Sequence, residues 1–136
     1  MKRIGLLNRH LSALTSSLGH MDEIVLADAG LPMPDGVPVI DLAIVPGLPR
    51  FMDVLAALRL ELVVEGAVWA EEASPDLAAS LASEMDAWTE MTGKPIATQM
   101  LCHEAFKART AKARAIIRTG EVTPYANVIL ISGVAF

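Results

Sequence analysis

Leu62-Val63-Val64-Glu65-Gly66-Ala67-Val68-Trp69-Ala70, then Ser74-Pro75-Asp76, then Gly93-Lys94-Pro95-Ile96-Ala97-Thr98-Gln99-Met100: in this order the chain reads as strand, helix, strand. The first run is apolar and short, which suits a strand buried in a sheet. Ser74 can accept from the free N–H groups of a first helical turn, and Pro75 fits that turn because no donor is needed there. The helix runs to about Thr92 and stops at Gly93-Lys94-Pro95. Ile96 to Met100 is the second strand.

The same alternation extends in both directions. Toward the N-terminus, Phe51 to Leu60 reads as a helix with Phe51, Val54, Leu55 and Leu58 on one face. Val39 to Ala43 is a strand. Gly30 to Pro38, with its prolines and glycines, is a loop. Ile24-Val25-Leu26-Ala27 is a buried strand that ends in Asp28-Ala29-Gly30. Arg9 to Leu18 is a helix with Leu11, Leu14 and Leu18 in step, which Gly19 would close in the left-handed conformation. Toward the C-terminus, His103 to Arg114 reads as a helix with Phe106 facing inward, and Ala115 to Arg118 and Val128 to Ile131 are the last two strands. No repeat, low-complexity tract or linker interrupts this order. It predicts a single α/β domain over 1–136, layered, with a central sheet that is largely parallel or mixed.

Composition narrows the function. Of 136 residues, 53% are hydrophobic and 20% charged, which gives a folded chain with apolar surface to spare for a homo-oligomer interface. The net charge of -5, with no basic run beyond Lys2-Arg3, argues against nucleic acid and anionic membrane and for a neutral or polar small molecule. The single cysteine, Cys102, cannot form an internal disulfide. Ile4 to Leu7 is too short for a signal-peptide core, and no run reaches the ~20 apolar residues of a membrane span. A cytoplasmic protein is the expectation.

Cofactor and nucleophile signatures are missing. There is no Gly-x-Gly-x-x-Gly, no phosphate-binding Gly-x-x-x-x-Gly-Lys-Ser/Thr, no His-Glu-x-x-His, no cysteine pair and no Gly-x-Ser-x-Gly. His10, His20 and His103 are scattered without metal-ligand spacing, so neither metal nor cofactor is expected. What remains is a set of polar residues where apolar runs end, the places at which α/β sheets build their sites. His20 follows the first helix and reads as a helix-end cap or as a proton-transfer group. Asp28 ends the first strand, as a turn cap or a ligand group. His103 opens a helix, Tyr125-Ala126-Asn127 leads into the final strand, and Glu71-Glu72 reads as a solvated strand end.

Several blocks carry a resemblance. They are Leu18-Gly19-His20-Met21-Asp22-Glu23, Asp28-Ala29-Gly30-Leu31-Pro32-Met33-Pro34, Val64-Glu65-Gly66-Ala67 through Ala70-Glu71-Glu72, His103-Glu104-Ala105-Phe106-Lys107, Ile117-Arg118-Thr119-Gly120-Glu121, and Pro124-Tyr125-Ala126-Asn127-Val128-Ile129-Leu130. In order, and over nearly the whole chain, they resemble the D-ribose pyranases. Met21 stands where that family suggests a small or hydroxyl residue, Cys102 stands where it suggests Thr, and the helix over 75–92 matches weakly. The sister L-fucose mutarotases carry a His after the Asp-Ala pair and an Arg or Lys before the final Tyr; Gly30 and Pro124 stand there instead.

The resemblance implies a three-layer α/β/α fold, pentameric rings stacked into a decamer, and a site between subunits. It implies interconversion of the pyranose and furanose forms of D-ribose without cofactor. It makes His20 the proton donor and Asp28, His103, Tyr125, Ala126 and Asn127 the sugar-binding residues. Ring opening takes a proton from the anomeric hydroxyl and gives one to the ring oxygen, and histidine suits such a shuttle because its unperturbed pKa of ~6.5 lies near working pH. Asp28 would bind a hydroxyl or orient His20. The base would be His103, Tyr125, Asn127 or a water. The alternatives are an L-fucose-type mutarotase, a non-catalytic sugar-binding accessory module, and an oligomeric domain without a ligand.

Overall fold

The computed structural model describes residues 1–136. The elements are α1 (Arg9–Ser17), β1 (Glu23–Ala27), β2 (Val39–Asp41), α2 (Phe51–Arg59), β3 (Val64–Ala70), α3 (Pro75–Thr92), β4 (Ala97–Leu101), α4 (His103–Thr110), β5 (Ala115–Arg118) and β6 (Val128–Ser132). They form one six-stranded sheet in the order β2-β5-β1-β6-β3-β4. The β2–β5, β5–β1 and β3–β4 pairs are parallel, and β6 runs antiparallel to both β1 and β3. The sheet is therefore mixed: five strands share one direction and β6 opposes them.

Two apolar cores follow from the period-2 alternation of the strands. Ile24 and Leu26 of β1, Ala115 and Ile117 of β5, and Val128 and Leu130 of β6 face the larger core, which α1, α2 and α3 cover with Leu11, Leu14, Phe51, Leu55, Leu81 and Trp88. Val25, Ile116 and Ile129 face the smaller core, where α4 contributes Phe106 and the loop after β1 contributes Leu31. This is the expected α/β/α arrangement, with one thick and one thin helical layer. The indole N–H of fully buried Trp88 donates to the Leu62 carbonyl at 2.9 Å, whereas that of Trp69, in the same core, is buried without a partner. No helix is long and apolar enough to cross a membrane.

Two local expectations are corrected. Gly19 does not close α1 in the left-handed conformation; Leu18 leaves the helix extended, and the positive φ falls on Met21 (67°). The helix from His103 stops at Thr110 rather than Arg114. Thr110 Oγ1 bonds back to the Lys107 carbonyl at 2.7 Å, and the turn that follows buries Ala113 and delivers the chain into β5. Glu72 is exposed just past the end of β3, as expected, and both of its carboxylate oxygens also accept the His103 N–H, at 2.9 and 3.0 Å.

Candidate active site

The carboxyl ends of β1, β3, β4 and β5 and the start of β6 lie on the same edge of the sheet, the edge at which open α/β sheets hold ligands. A cavity of about 470 Å³ opens there, within the range of small-molecule sites. Asp28, His103, Tyr125 and Asn127 line it, with Pro32, Glu121 and Pro124 among its walls.

Asp28 leaves β1 and is fixed on three sides. Its N–H donates to Asn127 Oδ1 at 2.8 Å, its Oδ2 accepts from Asn127 Nδ2 at 2.8 Å, and its Oδ1 accepts the Gly30 N–H at 2.9 Å. It therefore caps a turn and also presents a carboxylate, whose remaining lone pairs can accept sugar hydroxyls. Asn127 is buried, and the pairing with Asp28 leaves it one free N–H.

His103 is the first residue of α4, and its N-cap, Cys102, supplies no side-chain cap bond. Glu72 reaches from the end of β3 to do so, and the His103 N–H holds its carboxyl below the usual value. The ring meets Tyr125 edge-on, centroids 5.0 Å apart. His103 Nδ1 is buried without a partner, which leaves Nε2 as the ring nitrogen that can meet a ligand. Tyr125 sits at φ 63°, a region that bulky side chains rarely occupy, and such strain collects at functional sites. Ala126 is buried with its methyl in the larger core, so only its backbone is left for a ligand.

Glu121 was not singled out by sequence. Its Oε1 accepts from Val122 N, Thr123 N and Thr123 Oγ1, and its Oε2 from Phe51 N, where Arg50 provides no cap for α2. Burial works to raise its carboxyl, but these donors outweigh it and hold the value below the ordinary one. Glu121 thus nests the pocket's outer loop and ties it to α2. The only sequence hint was its place inside a quoted block, because its partner at position 51 lies far along the chain.

His20 is not in this cavity. It lies before β1 starts, and Asp28 lies after β1 ends, so the strand holds them roughly 16 Å or more apart at the usual rise per residue. His20 is half-exposed and its Nε2 faces the Glu65 carboxylate at 2.9 and 3.1 Å. Within one chain Asp28 does not orient His20. No three His, Cys, Asp and Glu side chains converge to hold a metal ion.

The cavity at the strand carboxyl ends thus presents a carboxylate, an amide, a phenol and an imidazole, and a second imidazole, that of His20, lies at the far end of the sheet. The model of the RbsD / FucU transport protein family matches residues 1–135, and the chain belongs to that family. On the ribose side, it is 49% identical to D-ribose pyranase of Vibrio cholerae and 50% identical to that of Aeromonas hydrophila, each over the full length of both chains. Its fold superposes on Bacillus subtilis RbsD complexed with D-ribose with a TM-score of 0.88, at 46% identity and full coverage of both chains. The fucose mutarotase of Streptococcus pneumoniae, solved with L-fucose, matches with a TM-score of 0.78 at 26% identity, covering 98% of this chain and 99% of that one.

Proposed function

We propose that this chain is a D-ribose pyranase, an isomerase that opens and recloses the sugar ring between its pyranose and furanose forms. The observation that carries this reading is the convergence of Asp28, His103, Tyr125 and Asn127, from three separate places in the chain, on one cavity of about 470 Å³. All four can bond hydroxyls, and hydroxyls are nearly all that ribose offers. The identity of about half with full-length ribose pyranases, against a quarter with the fucose enzyme, supports ribose over a 6-deoxy sugar.

In the reaction, an imidazolium at His20 protonates the ring oxygen as the C1–O bond breaks. A base removes the anomeric hydroxyl proton, and its electrons form the aldehyde C=O. Rotation and attack by a different hydroxyl on C1 close the other ring, with both protons returned. Each positioned proton-transfer group contributes typically 10²–10⁴ in rate. Because β1 separates His20 from the cavity, the two halves meet only if a second copy of the chain brings its His20 to the first copy's cavity. The family resemblance supports pentameric rings stacked as a decamer for that assembly. The lone, exposed Cys102 suits a reducing cytoplasm.

NMR saturation exchange between ribose anomers tests the activity. Wild-type protein speeds pyranose–furanose exchange of D-ribose and His20→Ala does not. Acceleration of only α/β exchange of L-fucose would establish the mutarotase reading instead, and ribose binding without any acceleration would establish an accessory sugar-binding role.

A further inference from the structure

We propose that Glu65 is the positioning residue for His20: it holds the imidazole in the tautomer with hydrogen on Nε2 and so makes Nδ1 the atom that trades a proton with the sugar. The inference rests on the pyranase reading for its catalytic half and on geometry alone for its orienting half.

Glu65 sits at an irregularity. The β3–β6 ladder pairs Val64 with Ser132 and Gly66 with Ile131, so between the pairs β3 spends two residues where β6 spends one. Such a bulge re-aims a side chain, and bulges gather beside active sites. Here the re-aimed side chain reaches a residue 45 positions away, past the intervening strand β6. Gly133, just beyond the end of β6, lies against this side chain; a Cβ there would stand 3.3 Å from Val63 Cγ1 and 3.4 Å from Glu65 Cβ and Oε2.

The His20 side is built with equal care. Asp22 Oδ2 accepts the Gly19 N–H at 2.8 Å, and the Met21 N–H donates to the Ser132 carbonyl at 2.9 Å. Met21 takes the left-handed conformation next to His20. A non-glycine residue there costs free energy, and a tight turn between helix and strand could avoid it. The turn thus fixes the backbone on both sides of the imidazole.

Both partners are substantially exposed, and exposed ion pairs contribute little to folding stability. A two-oxygen contact from a carboxylate to one imidazole nitrogen has a defined chemical effect: it decides which nitrogen carries the hydrogen. With Nε2–H directed at Glu65, the Nδ1 lone pair is free toward solvent or a docked neighbour. When Nδ1 gains a proton, the carboxylate stabilises the imidazolium. That species donates Nδ1–H to the ring oxygen and reverts to the neutral Nε2–H form.

The test combines long-range ¹H–¹⁵N NMR of imidazole-labelled protein with exchange kinetics. In ligand-free wild type, neutral His20 should show a protonated Nε2 and a bare Nδ1. In Glu65→Ala the two tautomers should mix, and ribose exchange should fall about 10- to 100-fold in kcat with KM nearly unchanged, as when an orienting partner is lost. Glu65→Gln keeps an acceptor without the charge and should fall between. A mixed or Nδ1–H ring in wild type, or a Glu65→Ala enzyme within twofold of wild type, overturns the proposal. Wild type that leaves ribose exchange at its solvent rate, with the tautomer held by Glu65, would overturn the pyranase reading and uphold the orienting contact.

Discussion

Asp28 and Asn127, 99 residues apart in the chain, hold each other by two hydrogen bonds of 2.8 Å, backbone N–H to amide oxygen and amide N–H to carboxylate. The end of β1 and the start of β6 are thereby locked at the mouth of the cavity. One contact both shapes the fold and holds a carboxylate at the cavity.

Replacing Asn127 by Ala strands the Asp28 N–H and removes a donor from its carboxylate. Loss of a buried partner costs about 1–3 kcal/mol, and stability measured by urea unfolding should fall by that amount. Ribose exchange should fall with it, mainly through KM.

Asp28→Asn changes charge and contact together. Its one side-chain oxygen can serve Gly30 or Asn127 but not both, and an NH2 then stands against the other donor. Stability measured by urea unfolding should fall by about 1–3 kcal/mol, and exchange at low ribose should drop about 10- to 100-fold with the ionised acceptor lost.

Tyr125 sets strain against packing. Glycine at φ 63° relieves about 1–2 kcal/mol, and loss of the edge-on contact with His103 costs about 0.5–1.5 kcal/mol. Tyr125→Gly should therefore leave stability near wild type, where truncating a well-packed aromatic usually costs about 3–5 kcal/mol. Ribose exchange should be lost. A large fall in stability would show that the tyrosine is there for packing.

Glu121 predicts an acid-side response. Its depressed carboxyl contributes stability in full above the ordinary value near 4.5, and the contribution disappears as pH falls through the lower folded-state value. Unfolding midpoints followed downward from about pH 6 should drop more steeply for wild type than for Glu121→Gln, which lacks the titrating group. At neutral pH the variant should be the less stable of the two, with α2 uncapped.

Much of this was legible from residue order. Ser74 and Pro75 started α3 as expected, with Ser74 Oγ accepting the Leu77 N–H, and Gly93 ended it at φ 69°. These signals are local, so a window of a few residues contains them. Asp28, His103, Tyr125 and Asn127 were legible as polar residues at element ends, although only the folded sheet brings them together. Glu72, Glu121 and Glu65 were not, because each acts on a backbone N–H or ring nitrogen 31 to 70 residues away. Gly19 misled for the opposite reason: a glycine after a helix suggests a left-handed cap, but the Asp22 carboxylate holds its N–H and the turn places its positive φ two residues later.

The sharpest test mixes two impaired proteins. His20→Ala and Asp28→Asn are co-refolded in equal amounts, and ribose pyranose–furanose exchange is measured on the mixture. If a working site draws His20 from one copy and Asp28 from another, random assembly rebuilds about a quarter of the sites, and exchange should recover toward a quarter of the wild-type rate. A mixture no faster than its two parents would mean that the imidazole and the carboxylate never share a sugar.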